Sequence, residues 1–283
     1  MKAKGFAWTG LALLVLLVFV SFPTTRVAAQ ENPPPDLPYK VYVPSVSRSG
    51  SPAYFGLAMA VDQPDDLTIL NVTWFYNWTD NPKTSIQGIP SVPMAYTGRT
   101  NRLDHEYNGW LLVFNEPNNI APYGCDLDPV EAAKRYVQLR SDLPNAKLVV
   151  GGWSVFARDW IQGFVNELKA AGEPLPQYWH AHAYTEAWIT PEIAQAYLRE
   201  YHQLTGGTYW ITEYGSPEGS LEDFQKMTAW FQNQNWIERV SAYTNRQPDS
   251  AGWAIGTGVE LMAEGLETTP IGDYFAGEAV KRR

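Results

Sequence analysis

The chain has 283 residues, with Lys+Arg 21 against Asp+Glu 30 and a formal net charge of -9. That acidic balance excludes a nucleic-acid backbone or an anionic lipid surface as partner. The single cysteine, Cys125, excludes an intramolecular disulfide and any zinc-spaced cysteine set.

In chain order, Lys2 and Lys4 precede an apolar run over 11–20, and the small residues Val27-Ala28-Ala29 follow it. Charged, apolar, then small is the order of a secretory signal peptide, so residues 1–29 are expected to be removed on export. The apolar run falls short of the about 20 residues that span a bilayer, so no stable membrane insertion is expected; an uncleaved anchor is the alternative. Residues 30–52, with Pro33-Pro34-Pro35 and a serine-rich end, read as a spacer. The remainder, 53–283, is long enough for one conventional core and is expected to be a single monomeric domain.

Within that domain, strand-like apolar runs fall at 54–61, 73–78, 92–96, 110–114, 147–151, 178–184, 208–212 and 237–243. Their near-continuous apolar character suits strands covered on both faces, as in a parallel sheet. Helices alternate with them. Asp128-Pro129 with Glu131 predicts a capped start, 158–171 carries Trp160, Phe164 and Leu168 four apart, and Thr190-Pro191 and Ser220 open two more. In the first half only 63–70 and 98–108 leave room for helices, and short ones. Eight strands alternating with helices predict an α/β fold of the (β/α)8 TIM-barrel type, small, with reduced helices in its first half.

Two glutamates stand where buried strands emerge from that barrel. Asn115-Glu116-Pro117 closes the fourth strand and Thr212-Glu213-Tyr214-Gly215 the seventh. Barrel enzymes carry their chemistry at these ends, and a carboxylate pair is the minimum equipment for cleaving a glycosidic bond. A separation of about 5–5.5 Å would serve a retaining reaction and roughly 6.5–9.5 Å an inverting one.

His180, His182 and Tyr184 share one face of the sixth strand by period-two spacing. His182 or Tyr184 is placed to donate to Glu213 or to sugar hydroxyls, and His180 suits a buried structural role. A metal site is the other use of His-x-His. The remaining histidines, His105 and His202, lie in unrelated stretches, so neither metal nor cofactor is expected. Trp74, Asn77 and Trp153 near other strand ends are candidates for stacking and polar contacts to sugar, with barrel packing as the alternative. Gly152-Trp153-Ser154-Val155-Phe156 lacks the final glycine of a nucleophile elbow, and no phosphate-binding glycine loop is present.

The strand-end Asn-Glu and Glu resemble the clan A retaining glycosidases. More narrowly, four segments resemble the small-barrel endo-β-1,3-glucanases of glycoside hydrolase family 128: Trp74-Phe75-Tyr76-Asn77-Trp78, Phe114-Asn115-Glu116-Pro117-Asn118, His180-Ala181-His182-Ala183-Tyr184 and Trp210-Ile211-Thr212-Glu213-Tyr214. Thr268-Thr269-Pro270-Ile271-Gly272 resembles that family's closing segment. The resemblance implies that Glu116 is general acid and then base, that Glu213 is the nucleophile, and that Asn115 contacts the sugar 2-hydroxyl. It implies an enzyme, secreted if residues 1–29 act as the expected signal peptide, whose partner is a polysaccharide or oligosaccharide, most specifically a β-1,3-linked glucan. One departure stands out: the family's eighth strand commonly ends in tryptophan, whereas Ala242 aligns there, with Trp253 on the next loop as a substitute. That departure leaves a second reading, a carbohydrate-binding or cell-surface protein that keeps the barrel without catalysis.

Overall fold

The computed structural model describes residues 54–81, 85–247 and 255–282. The expected signal peptide and spacer, and Trp253, lie outside these residues.

The main sheet is built from β1 (Phe55–Ala58), β2 (Trp74–Tyr76), β5 (Met94–Ala95), β6 (Trp110–Val113), β7 (Lys147–Trp153), β8 (Tyr178–Tyr184), β9 (Thr208–Gly215) and β10 (Ile237–Tyr243). Between β2 and β5, β3 (Ser85–Ile86) and β4 (Ile89–Pro90) form a small antiparallel hairpin. The strand order is β2-β1-β10-β9-β8-β7-β6-β5, with all neighbours parallel. The two outer strands meet through a parallel bridge from Phe75 to Ser91, where the Val92 N–H donates to the Phe75 carbonyl at 2.8 Å. The sheet is a (β/α)8 barrel.

Alternation along each strand sorts the apolar side chains into two cores. Trp74, Tyr76, Leu112, Val149, Trp210 and Tyr243 fill the barrel interior, while Phe75, Leu111, Val113, Val150, Ile211 and Val240 face the helices. At the floor of the interior the Arg239 guanidinium lies 4.2 Å from the Trp210 ring centroid, 5.3 Å from Trp110 and 5.8 Å from Trp74. Those ring faces supply the negative potential that a cation removed from water needs.

The helices are α1 (Pro64–Ile69), α2 (Pro129–Asp142), α3 (Arg158–Ala170), α4 (Pro191–Thr205), α5 (Leu221–Gln232) and α6 (Pro270–Val280). Asp128, Ser220 and Thr269 each accept a backbone N–H of the first turn they precede. Only half of the expected capping box forms at α2, because the Glu131 carboxylate takes Arg135 Nε at 2.7 Å instead of reaching back. The stretch 98–108, expected to hold a short helix, contains only turns and bends. Its Gly98, in the left-handed region (φ 73), abuts the Phe114 ring, so the chain folds back on the barrel top rather than coiling. Among the described residues, no helix is long and apolar enough to cross a membrane.

Candidate active site

β6 ends at Val113, and the next residues leave the sheet in unusual conformations. Phe114 (φ 74) and Glu116 (φ 43) both occupy the left-handed region, which costs a non-glycine residue roughly 1–2 kcal/mol. Surrounding backbone holds them there. The Asn115 N–H donates to Tyr96 O at 3.0 Å, the Glu116 N–H to Gly152 O at 2.9 Å, and the Cys125 N–H to Asn115 O at 2.9 Å. The returning loop passes so close that a Cβ on Gly124 would sit 2.1 Å from the Glu116 carbonyl oxygen. The carboxylate of Glu116 then accepts Asn119 Nδ2 at 2.7 Å.

Glu213 sits near the C-terminal end of β9, paired across to His182 on β8 beyond a register shift at Ala181/His182. Its Oε1 accepts the Tyr76 hydroxyl at 2.9 Å and Trp78 Nε1 at 3.1 Å, and its Oε2 accepts the Tyr184 hydroxyl at 2.6 Å. Burial, then the charge of Glu213, pushes both tyrosine hydroxyls well above their ordinary pKa, so they stay protonated donors.

His182 lies between the two acids. Its Nδ1 is 2.8 Å from Glu116 Oε1, and its Nε2 is 3.3 Å from Glu213 Oε1. The second contact is close enough for charge attraction but is not aligned as a hydrogen bond. Burial opposes protonation of His182; the charge of Glu213, with the hydrogen bond and charge of Glu116, outweighs it and raises the pKa. His180, one layer below, behaves oppositely. Burial, reinforced by His182, pushes it down to about 3. Its Nε2 faces the Val113 carbonyl at 3.1 Å and its Nδ1 the Thr212 hydroxyl at 2.9 Å. A carbonyl only accepts, so the neutral ring carries its proton on Nε2 and takes the threonine hydrogen on Nδ1.

One ligand-type atom from each of Glu116, His182 and Glu213 lies within 4.8 Å of the others. This trio is the one group with metal-ligand spacing among the described residues. Its carboxylate oxygens already accept Asn119, Tyr76, Trp78 and Tyr184, donors that occupy the positions a bound cation would need.

The acids open into a cleft of about 300 Å³ on the C-terminal side of the barrel, walled by Trp78, Tyr96, Tyr184, Tyr243 and the Pro122–Tyr123 loop. A larger depression of about 570 Å³ lies along α2, shares no residue with the cleft, and has its Glu131 engaged by Arg135.

Residues 56–275 match the family described as "Glycosyl hydrolase catalytic core". The chain belongs to that family. No curated protein matches the sequence of this glycosyl hydrolase. Solved structures do match its fold. A family 128 subgroup I endo-β-1,3-glucanase from Amycolatopsis mediterranei in complex with laminaritriose is 19% identical, covering 80% of this chain and 99% of its own, with a TM-score of 0.64. A subgroup II endo-β-1,3-glucanase from Sorangium cellulosum is 22% identical, covering 79% and 97%, with a TM-score of 0.60. A subgroup V exo-β-1,3-glucanase from Cryptococcus neoformans is 22% identical, covering 80% and 98%, also at 0.60.

Of the residues singled out from the sequence, Asn115, Glu116, His182, Tyr184 and Glu213 converge on the cleft. Trp74 and Trp153 do not. Trp74 is the first residue of β2 and lies buried in the barrel interior against Trp210, well below the strand's outgoing end. Trp153 ends β7, but the register shift between Gly151 and Trp153 turns it to the helix side, where it packs on Trp179 and Tyr201. Asn77 is half-buried and accepts the Thr79 hydroxyl at 2.8 Å without lining the cleft.

Sequence reasoning missed Tyr76, Trp78, Asn119 and Tyr243. Period-two spacing from Trp74 would have pointed to Tyr76 and Trp78 as the same face one and two layers higher. The eighth-strand departure also resolves. Ala242 faces the helices, and Tyr243 is the terminal aromatic, 5.9 Å from Trp78 and 5.7 Å from Tyr184 between ring centroids.

Proposed function

We propose that this chain is a secreted, retaining endo-β-1,3-glucanase whose catalytic pair is Glu116 and Glu213. The observation carrying the reading is that one carboxylate oxygen of each acid lies within 4.8 Å of the other with His182 between them, a close facing pair of the kind that direct attack by one carboxylate uses. An intervening water on the opposite face of the sugar would need more room.

In the first step Glu213 attacks the anomeric carbon while Glu116 gives its proton to the departing glycosidic oxygen, leaving a glycosyl ester on Glu213. In the second, Glu116 takes a proton from water, the water oxygen bonds to the anomeric carbon, and Glu213 departs as carboxylate. Tyr76, Trp78 and Tyr184 restore the hydrogen bonds of the freed carboxylate. Asn115 Oδ1 is buried without a partner among the described residues, an acceptor placed for a sugar hydroxyl such as the 2-hydroxyl. Residues 1–29 act as the export signal and 30–52 as the spacer in this proposal, with residues 53–283 working as a monomer and no cofactor.

The β-1,3 linkage rests on the activities of the structurally similar glucanases from Amycolatopsis mediterranei, Sorangium cellulosum and Cryptococcus neoformans. The test is reducing-sugar release from β-1,3-, β-1,4- and β-1,6-glucans, with the anomer of the first product followed by NMR. Release from β-1,3-glucan as the β-anomer, lost in Glu213→Gln, is expected. An α-anomer as first product would sink the retaining mechanism, and activity surviving in Glu213→Gln would sink the pair. Glucan binding without release, equal in wild type and variant, would favour the non-catalytic reading.

A further inference from the structure

Scattered exposed apolar side chains are ordinary on a protein surface, but their clustering is not. Among the described residues, the most exposed aromatic side chains are Phe156 (63%), Trp188 (59%) and Tyr123 (56%). All three stand on loops leaving the C-terminal ends of strands: Tyr123 after β6, Phe156 after β7 and Trp188 after β8. Tyr123 lines the cleft itself. Phe156 and Trp188 come from separate loops and meet as a stacked pair, with ring centroids 6.0 Å apart and planes inclined by 30°.

Both loops are fixed rather than loosely displayed. Phe156 is in the left-handed region (φ 59), a conformation a bulky residue adopts only where its surroundings impose it. Those surroundings are present: the Tyr201 hydroxyl donates to Ser154 O at 2.9 Å and accepts the Ala157 N–H at 2.7 Å, clamping both sides of Phe156. The Trp188 loop is closed by the Glu186–Ile189 bridge and by the Ala187 N–H donating to Glu218 Oε1 at 3.2 Å.

The bases of the same loops hold the two acids. Ser154 bonds Asn118 at 2.7 Å and Asn119 at 3.1 Å, and Asn119 holds Glu116. Tyr184, four residues before Trp188, holds Glu213. A chain threaded between the acids must leave the cleft over the rim, and these loops are part of it.

We propose that Phe156 and Trp188 form a second sugar-binding platform, stacking a pyranose unit of the same glucan chain beyond the unit held between Glu116 and Glu213. This deepens the reading of the cleft as a glucanase site and rests on it. Flat aromatic faces presented to water suit the apolar C–H face of a pyranose, and a ring pair already in place loses little freedom on binding. The platform favours long chains over short ones and so sets chain-length preference without touching the reacting atoms.

The test compares the exported protein with Phe156→Ala, Trp188→Ala and the double variant, using a soluble β-1,3-glucan polymer and a β-1,3-linked trisaccharide. The double variant is expected to lower the polymer-to-trisaccharide ratio of kcat/KM by about tenfold, mainly through the KM for polymer, while Phe156→Trp alone, which keeps a stacked ring pair, holds the wild-type ratio. A ratio unchanged within about twofold overturns the proposal, as does an equal loss on both substrates, which would mean damage to the cleft. Affinity electrophoresis through gels containing the polymer reads binding apart from turnover. Retardation of Glu213→Gln that vanishes in the triple variant supports the platform; retardation that persists, or that never occurs with any glucan, overturns it. Absence of turnover in wild type with platform-dependent retardation would refute the glucanase reading alone. A self-association seen by sedimentation in wild type and abolished in the double variant would identify the pair as a dimer contact instead.

Discussion

His182 and Glu116 are joined by a 2.8 Å contact between Nδ1 and Oε1, while the far nitrogen of the same ring stands 3.3 Å from Glu213. One buried imidazole thus faces both carboxylates, and the histidine one layer below is kept neutral by the same burial.

These two histidines shape stability with pH in opposite senses. The folded pKa of His182 is raised, so its contribution is fully present below its unfolded value of about 6.5 and is lost as pH rises through the folded value. His180 falls to about 3 in the fold, so the unfolded chain binds the extra proton between about 3 and 6.5, and stability drops as pH falls through that window. Urea midpoints measured from about pH 4 to about pH 9 should therefore peak near the ordinary histidine pKa. His182→Gln should flatten the alkaline side while leaving the acid side in place; an unchanged alkaline slope would remove His182 as its cause.

Trp78→Phe keeps an aromatic wall but deletes the indole N–H that Glu213 Oε1 accepts at 3.1 Å. Hydrogen bonds to a charged group contribute about 1.5–3 kcal/mol. A kcat lower by roughly tenfold to a hundredfold, with an unchanged unfolding midpoint, is the expected result. Wild-type kcat would show that Tyr76 and Tyr184 suffice.

Gly152→Ala should be costly to both fold and activity. Gly152 has φ 66, and an added Cβ would lie 2.9 Å from the His180 ring and 3.2 Å from Phe114 O. The Gly152 carbonyl also accepts the Glu116 N–H. A loss of about 2 kcal/mol or more, visible in thermal unfolding, is expected together with reduced turnover. An alanine tolerated on both measures would mean the bulge can relax without moving Glu116.

Arg239→Met removes the charge from the tryptophan-walled floor at similar length. Replacing buried charges with apolar groups is often neutral, and Arg239 Nε makes no aligned hydrogen bond, only a long ion pair to Glu238 Oε1 at 3.7 Å. The three indole faces weigh on the other side, at up to about 2 kcal/mol when desolvated. A net loss of about 1–2 kcal/mol is expected in urea unfolding, since the closest ring is at 4.2 Å. Equal or greater stability in the variant would show that desolvation cancels the ring attraction.

Much of the barrel could be read from the chain alone. Apolar runs of strand length, Asp128-Pro129 and Thr190-Pro191 at helix starts, and Asn115-Glu116 and Glu213 at strand ends are all local patterns. Burial on both faces, capping chemistry and strand polarity impose them within a few residues of sequence. That is why the eight strands and the positions of both glutamates were legible.

The aromatic lining was not, because which wall of the barrel a ring faces depends on layer and register. Trp74, Tyr76 and Trp78 alternate identically in sequence, yet only the upper two reach Glu213, since the site occupies the outgoing end of the strand. Trp153 turns away because its strand carries one extra residue, Gly152, between Gly151, which pairs with His180, and Trp153, which pairs with Ala181. Tyr243 rather than Ala242 enters the cleft because β10 also shifts register against β9. A one-residue shift reverses every side chain beyond it. Sequence determined the strands, the caps and the two acids, all set by short-range chemistry. Only the closed barrel decided that His182 would touch both acids and that two distant loops would stack Phe156 on Trp188, because those contacts join strands and loops far apart along the chain.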